Sequence, residues 1–416
     1  MKSFDTDLVR RGETRLRWAR DRMPVLAEVS RRLKKSGTLK GARIGMALHT
    51  EAKTGVLAIT LREAGADVSL TSCNPLSTDD CVAAALAEKH DMNVFAKKGQ
   101  TADEYYRSLN KVIDFSPDFV IDDGADLIFL LHTKRRDKLT EVKGGNEETT
   151  TGIIRLRAMA EEGALRFPVI SVNDAMMKHL FDNRYGTGQS TFDGIMSSTN
   201  LLIAGRRFVV AGYGWCGRGV AMRARGMGAR VAIAEVDPVK AVEARLDGFD
   251  VMPMIEAVKD ADFIVTTTGC KDVIHKRHFE KMKDNCVLAN SGHFDNEISK
   301  KDLEALSSSK RIARENVVEY TLKDGRRINL LADGRLVNLA AGQGHPVEIM
   351  DMSFALQALA VEYLAKNHEK LEPKVHEIPR ELDRWVAETA LRSMGVKIDT
   401  LSDDQKRYLQ EWREGT

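Results

Sequence analysis

Arg207-Phe208-Val209-Val210-Ala211-Gly212-Tyr213-Gly214-Trp215-Cys216-Gly217 runs five residues of strand character into a G-x-G-x-x-G turn. A helical pattern over Gly217–Met227 and a second strand-like run over Arg230–Ala234 follow, ending at Glu235. Strand, glycine turn, helix and strand with a terminal carboxylate form the dinucleotide-binding pattern. Gly212 makes the tight turn, Gly214 lets backbone approach a pyrophosphate, and Gly217 brings helix against strand. The helix start offers unpaired N–H groups and partial positive charge to the phosphates. Glu235 stands 23 residues after Gly212, where a carboxylate binds ribose hydroxyls and repels a 2′-phosphate. Val236-Asp237 brings no Arg to receive such a phosphate, so NAD is expected over NADP.

Outward from this motif the chain alternates strands and helices. Upstream, Ile44–Leu48, Ala66–Thr71, Asp118–Ile121 and Phe167–Val172 read as strands, and Gly55–Ala64 and Thr78–Glu88 as helices, with Ser77 and Thr78 as capping candidates. Residues 12 to 35 read as one amphipathic surface helix. Downstream, Ala261–Thr266 and Asn285–Ala289 are strands. Arg327–Leu331 and Arg335–Leu339 flank Ala332-Asp333-Gly334, whose Asp-Gly signals a hairpin. Val347 to Lys366 is helical and apolar, and the last forty residues are helical and charged, with Pro373 and Pro379 marking a break. The fold class expected is α/β, with two doubly wound parallel-sheet (Rossmann-like) domains and a short helical C-terminal tail. The division expected is residues 1–183 with 346–372 for substrate, 184–345 for NAD, and 373–416 for oligomerisation.

The 416 residues carry 63 basic and 61 acidic side chains, a balance that argues against a nucleic-acid or acidic-membrane partner. No apolar run approaches membrane-spanning length, and the start, Met1-Lys2-Ser3-Phe4-Asp5, lacks the apolar core of a signal peptide. Five cysteines without C-x-x-C spacing suit reduced thiols in a cytoplasm. No metal site is expected. His275 and His278 lie three apart, but among Lys and Arg they read as a solvated helix start.

His49-Thr50-Glu51-Ala52-Lys53 follows the first strand. It places an imidazole, a carboxylate and an ammonium where ligands bind in open α/β sheets.

Several segments, in order, resemble the S-adenosylhomocysteine hydrolase family from about residue 10 to the tail. They are Glu147-Glu148-Thr149-Thr150-Thr151-Gly152, Asn173-Asp174-Ala175-Met176-Met177-Lys178-His179-Leu180-Phe181-Asp182-Asn183-Arg184-Tyr185-Gly186, Ala211–Gly217, Thr266–Cys270, Asn290–Asp295, Arg335–Leu339 and Gly344-His345-Pro346. The resemblance implies a tightly held catalytic NAD that oxidises the 3′-hydroxyl of a nucleoside thioether. The new ketone acidifies C4′–H, and the 5′ thiolate leaves by β-elimination. Water adds, and the stored hydride restores the alcohol. It further implies that Lys178, with Asp182 and Asn183, serves the 3′ oxidation, its pKa lowered by a cation-holding site. Asp123 and Glu148 then hold the ribose and share proton transfer, while His49 and His293 serve the 5′ side. Thr149, Thr150, Thr151, Asn290, His293 and Asn338 are implied as NAD contacts. Tyr408 is implied to reach a neighbouring protomer's cofactor in a homotetramer, and His345 to close the cleft.

Three positions depart from the family pattern. Thr187 stands where many relatives carry Cys, Lys240 where an Asn contacts the NAD ribose, and Asp404 where a Lys accompanies the Tyr, with Lys406 nearby.

Glu51, Lys53 and Thr54 are expected on the substrate. The opening cluster is similar to the His-x-Glu-x-Lys version of archaeal, inosine-preferring relatives. Lys is donor-only and ionised Glu acceptor-only. Lys53 on O6 and Glu51 on N1–H would suit hypoxanthine. With the two side chains exchanged in space, adenine would fit, and a mutual surface ion pair is the third possibility.

Overall fold

The computed structural model describes residues 5–413, so the Met1–Phe4 part of the leader reading lies outside them. Two sheets organise the chain. The first contains β1 (Arg43–Ala47), β2 (Asp67–Thr71), β3 (Asn93–Val94), β4 (Phe119–Asp122), β5 (Gly144–Glu147) and β6 (Val169–Ser171). The second contains β7 (Arg207–Ala211), β8 (Arg230–Ala234), β9 (Asp250–Val251), β10 (Phe263–Thr266), β11 (Cys286–Asn290), β12 (Ser307–Arg314), β13 (Val317–Leu322) and β14 (Arg327–Leu331). A last strand, β15 (Val375–Glu377), returns to the edge of the first sheet beside β6.

Strand order is β15-β6-β5-β4-β1-β2-β3 in the first sheet and β12-β13-β14-β11-β10-β7-β8-β9 in the second. The first therefore carries the doubly wound 3-2-1-4-5-6 order with β15 added at its edge, and the second shares 3-2-1-4-5 before β14, its last strand in the chain, takes the sixth place; strand order reverses between β1 and β4 and between β7 and β10. Apolar residues such as Ile44, Met46, Val120, Ile121, Val209 and Val210 are buried on both sheet faces, as strands covered on both sides require. The Val347–Asn367 helix lies in the first core, with Ala355, Leu356, Ala358, Leu359, Ala360 and Val361 fully buried.

Several expectations need correction. The single helix over 12–35 is two, Thr6–Arg20 and Pro24–Ser36. Pro24 has no N–H to donate and starts the second one. The next-but-one helix is Asp80–Lys89, and its cap is Asp79, whose carboxylate accepts from the Cys81 and Val82 N–H groups. Neither Ser77 nor Thr78 caps it. The hairpin at Ala332–Gly334 does not form. β14 pairs antiparallel with β13 and parallel with β11, and Arg335–Leu339 gives a short helix, Val337–Ala340, rather than a strand. The β12–β13–β14 antiparallel extension makes the second sheet mixed rather than wholly parallel. Residues 373–393 are not a free tail. β15 and the Arg380–Ser393 helix pack on the first body, burying Leu382, Val386 and Ala390. Within this tail only residues 394–413 of the described chain stay exposed throughout. Finally, His278 is buried rather than solvated, and its Nδ1 accepts the His275 N–H.

Candidate active site

The carboxyl ends of both sheets face one cavity of about 710 Å³. Its walls include His49 and Glu51 after β1, Asp123 after β4, Glu148 to Thr151 after β5, Gly212 and Gly214 after β7, Glu235 after β8, Thr267 to Cys270 after β10, and His293 after β11. Parallel order puts all these strand ends on one side, and the two switch points meet there.

Lys178 sits at the centre, 4 % exposed, on a short helix that opens into a wider, i→i+5 turn over His179–Gly186. Such wide turns re-aim side chains, often at functional sites. Lys178 Nζ donates to Asn183 Oδ1 at 2.9 Å and lies 3.3 Å from Glu148 Oε1 and 3.7 Å from Asp182 Oδ2. Burial disfavours its ammonium, but Asp182, Glu148 and Asp123 more than offset this and raise its pKa. The expected lowering is therefore not what the protein's own groups do, because three carboxylates surround one amine. Burial pushes Glu148 up to about 8, with Lys178 opposing. Gln357 donates to Glu148 Oε2 at 2.5 Å, while Glu148 Oε1 has no hydrogen-bond donor. Asp182 is held low despite burial, by Lys178 and by His345, whose Nδ1 lies 2.7 Å from its Oδ1. Ser353 donates to the other oxygen at 2.7 Å. Asp182 thus anchors Lys178 and His345 rather than presenting free oxygens.

Asp123 stands between two imidazoles. His49 Nε2 lies 3.3 Å from Oδ2 and His293 Nδ1 3.4 Å from Oδ1, although the two histidines follow strands of different sheets. Burial lowers the His49 pKa to about 4, against the pull of Asp123. Cys73, which the sequence reading did not single out, lies 3.3 Å from His49 Nδ1 and 3.6 Å from Asp123 Oδ2.

Glu51 caps the Ala52–Glu63 helix, accepting from Lys53 N at 3.1 Å and Thr54 N at 3.2 Å. Lys53 Nζ pairs with Glu51 Oε2 at 2.8 Å and donates to the Gln343 carbonyl at 3.0 Å. Their side chains are 7 % and 15 % exposed, so this is a buried pair rather than a surface one. Thr54 Oγ1 donates to the His49 carbonyl at 2.6 Å, fixing the turn between strand and helix.

On the second sheet, Gly214 opens the Trp215–Gly226 helix with no side-chain cap, leaving its first N–H groups free. A Cβ on Gly217 would meet the Gly212 carbonyl oxygen at 2.1 Å, which enforces glycine where helix crosses turn. Glu235 accepts from Tyr213 N at 2.6 Å, Val236 N at 2.7 Å and Asp237 N at 2.9 Å, which holds it at the cavity wall. Lys240 also lines the wall, 3.4 Å from Asp237. Thr151 Oγ1 and Asn338 Oδ1 are buried in the same wall without partners. A free helix start, an anchored carboxylate and two orphaned polar atoms fit a dinucleotide.

Thr149 and Thr150 reach the wall from the first sheet, their loop held by Glu147, which accepts Gly124 N at 2.7 Å, Ala125 N at 3.0 Å and Thr149 N at 3.0 Å. Asn290 does not reach it. The two protons of its amide are shared among the Gly292, Phe294 and Gly334 carbonyls at 3.1, 2.8 and 3.0 Å, and its oxygen accepts from Thr266 and Gly292. Every polar atom is spent inside the fold. Tyr408 is exposed on the Asp403–Tyr408 helix and contributes nothing to its own chain's cavity. Besides Cys73, the sequence reading missed Gln357 and Ser353. Two polar residues one helical turn apart within the otherwise apolar run 352–361 were the available signal.

Two family models match the chain: S-adenosyl-L-homocysteine hydrolase over residues 2–141, and its NAD binding domain over residues 183–344. The chain is 60 % identical over 412 residues to a Methanocaldococcus jannaschii protein named S-inosyl-L-homocysteine hydrolase, covering 99 % of each. It is 57 % identical over 406 residues to a Thermoplasma volcanium adenosylhomocysteinase, covering 98 % of this chain and 99 % of that one. Among solved structures, a dipicolinate synthase chain from Bacillus halodurans superposes with a TM-score of 0.50 at 14 % identity, over 79 % of this chain and 99 % of that one, a likeness of fold alone. A cavity walled by two doubly wound sheets, one of them built for a dinucleotide, and these matches lead to one conclusion: the chain belongs to the S-adenosyl-L-homocysteine hydrolase family of NAD-dependent thioether hydrolases.

Proposed function

We propose that the protein reversibly hydrolyses S-inosyl-L-homocysteine to inosine and L-homocysteine, with S-adenosyl-L-homocysteine as the alternative substrate. The observation that carries the base reading is the buried Lys53–Glu51 pair on the cavity wall. Two of the Lys53 protons go to Glu51 Oε2 and the Gln343 carbonyl, which leaves one donor. The single Thr54 hydroxyl proton goes to the His49 carbonyl, so Glu51 Oε1 keeps a lone pair beyond the one taken by Thr54 N. One donor beside one acceptor matches O6 and N1–H of hypoxanthine. The 60 % identity to a protein named for the inosyl thioether supports the same reading. The adenosyl alternative rests on the exchanged pairing and on the 57 % identity to a protein named adenosylhomocysteinase.

The catalytic roles follow from position. Lys178 and Asn183 hold the 3′ oxygen, with Asp182 fixing Lys178. Glu148, its carboxyl raised by burial to about 8 and its Oε1 accepting no hydrogen bond, accepts and returns a ribose hydroxyl proton. Asp123 takes the C4′ proton once the neighbouring carbon is a ketone. His49 and His293, on its two sides, protonate the departing 5′ thiolate and orient the entering water. Gly212, Gly214, Glu235, Thr149, Thr150, Thr151 and Asn338 hold the dinucleotide. Bound NAD would supply a hydride acceptor that returns what it takes.

In this reading the first-sheet body, with β15 and the Arg380–Ser393 helix, takes the thioether and the second-sheet body takes NAD. The protein works as a homotetramer, supported by the exposed apolar Met394, Val396, Ile398, Leu401 and Trp412 beyond the last packed helix. The deciding experiment measures free thiol from the inosyl and adenosyl thioethers side by side. Faster release from the inosyl compound is expected, and equal or reversed rates overturn the base assignment. NADH building up with turnover would instead mark a simple dehydrogenase.

A further inference from the structure

Cys73 has no role in the chemistry above, yet it is 6 % exposed and sits against two of its groups. Its Sγ is 3.3 Å from His49 Nδ1 and 3.6 Å from Asp123 Oδ2, and one ligand atom from each of the three residues falls within 4.8 Å of the others. From these contacts we infer that His49, Cys73 and Asp123 form an inhibitory site for a soft divalent cation of the zinc class.

Three observations carry this. The first is the orientation of His49. Its Nδ1 lies 2.7 Å from Ser77 Oγ, and Ser77 Oγ in turn donates to the Asn74 carbonyl at 3.2 Å. Ser77 Oγ also stands 3.0 Å from Ser72 Oγ; in the tautomer where it accepts from His49, Nδ1 carries the proton. That leaves the Nε2 lone pair 3.3 Å from Asp123 Oδ2, acceptor against acceptor, an arrangement that a cation between them resolves. A hydrogen bond on the far ring nitrogen is also how proteins orient a metal-binding imidazole.

The second is the donor set. Thiolate, imidazole and carboxylate together suit zinc-class ions, and hard cations such as magnesium prefer all-oxygen shells. The third is charge. A divalent cation with one thiolate, one carboxylate and a neutral imidazole sums to zero, which a buried cavity tolerates far better than an isolated ion. Binding releases the thiol proton of Cys73 to solvent, so occupancy strengthens as pH rises. The cation would occupy His49 and Asp123 at once, which removes both from the reaction.

The test titrates NAD-loaded protein with Co2+ as a spectroscopic stand-in for Zn2+. One equivalent per chain should raise a thiolate-to-cobalt charge-transfer band. Cys73→Ser should abolish it, whereas Cys270→Ser, which removes an exposed thiol, should leave it intact. Zn2+ should inhibit thiol release, and Cys73→Ser should weaken that inhibition at least about tenfold, the loss that removal of even an outer-shell partner brings. X-ray absorption on Zn2+-loaded Cys270→Ser protein covers the case in which Cys73→Ser fails to fold. One sulfur at about 2.3 Å with nitrogen and oxygen neighbours at about 2.0–2.1 Å is expected. A shell without sulfur, or a band that follows Cys270, overturns the site. Because the spectroscopy needs no substrate, it stands or falls separately from the assigned reaction.

Discussion

Lys53 Nζ and Glu51 Oε2 stand 2.8 Å apart inside the cavity wall, one on the first turn of a helix and the other at its cap. The pair does two jobs at once, closing the helix start and presenting one donor and one acceptor. Lys53→Gln replaces a donor-only group with one that both donates and accepts. Preference should shift toward the adenosyl thioether by about ten- to a hundredfold, since each unmatched buried group costs roughly 1–3 kcal/mol. The ratio of kcat/KM for the two thioethers checks this, and an unchanged ratio removes Lys53 from base recognition.

Lys178→Ala should cut thiol release by at least about a hundred- to ten-thousandfold, the span typical of a positioned acid–base group. Retained NAD and equilibrium nucleoside binding should change little. Unchanged thiol release would refute the assignment.

Glu148 makes stability fall with rising pH. Its carboxyl is raised from an ordinary 4.5 to about 8. Below 4.5 both folded and unfolded chains hold the proton. Between 4.5 and about 8 the unfolded chain ionises freely and the buried group does not, so its contribution is lost as pH climbs. His49 acts in the opposite sense: its pKa is lowered from 6.5 to about 4, so its contribution is lost as pH drops through that window. The urea midpoint of wild type minus that of Glu148→Gln should decline from pH 4.5 to 8, and a flat difference would remove the raised carboxyl.

Asn290→Asp tests a structural role against a cofactor contact. The substitution sets a carboxylate oxygen against three carbonyls that now share the two amide protons. A loss of about 3 kcal/mol or more is expected, from about 1 kcal/mol per bond plus the unpaired groups left behind. The loss should be the same with NAD stripped away, as thermal melts of both forms can establish.

Gly214→Ala separates fold from cofactor in the opposite direction. A Cβ there meets no protein atom within 4 Å, so the melt of the NAD-free protein should be unchanged. Backbone approach to the pyrophosphate is obstructed, and NAD affinity should drop at least about tenfold. Equal affinity, measured by calorimetry, would place the phosphates elsewhere.

Sequence alone determined the two doubly wound units, the dinucleotide turn and most of the ionisable groups on the cavity wall. These are local signals: a glycine where a Cβ would strike the Gly212 carbonyl, strands such as Arg207–Ala211 apolar on both faces, and short motifs at strand ends. Tertiary structure decided what those residues do to one another. Lys178 gains rather than loses basicity because Asp182, Glu148 and Asp123 converge on it from three separate elements. The Asn290 side chain is turned into the fold because three loop carbonyls close around its amide. Cys73 joined His49 and Asp123 across intervals of 24 and 50 residues. Strand 375–377 left the tail for the first sheet because an edge beside β6 was free to pair. Periodicity reports which face of an element is buried, but protonation, pairing and hydrogen-bond saturation depend on what other segments bring within about 4 Å, and no local pattern encodes that.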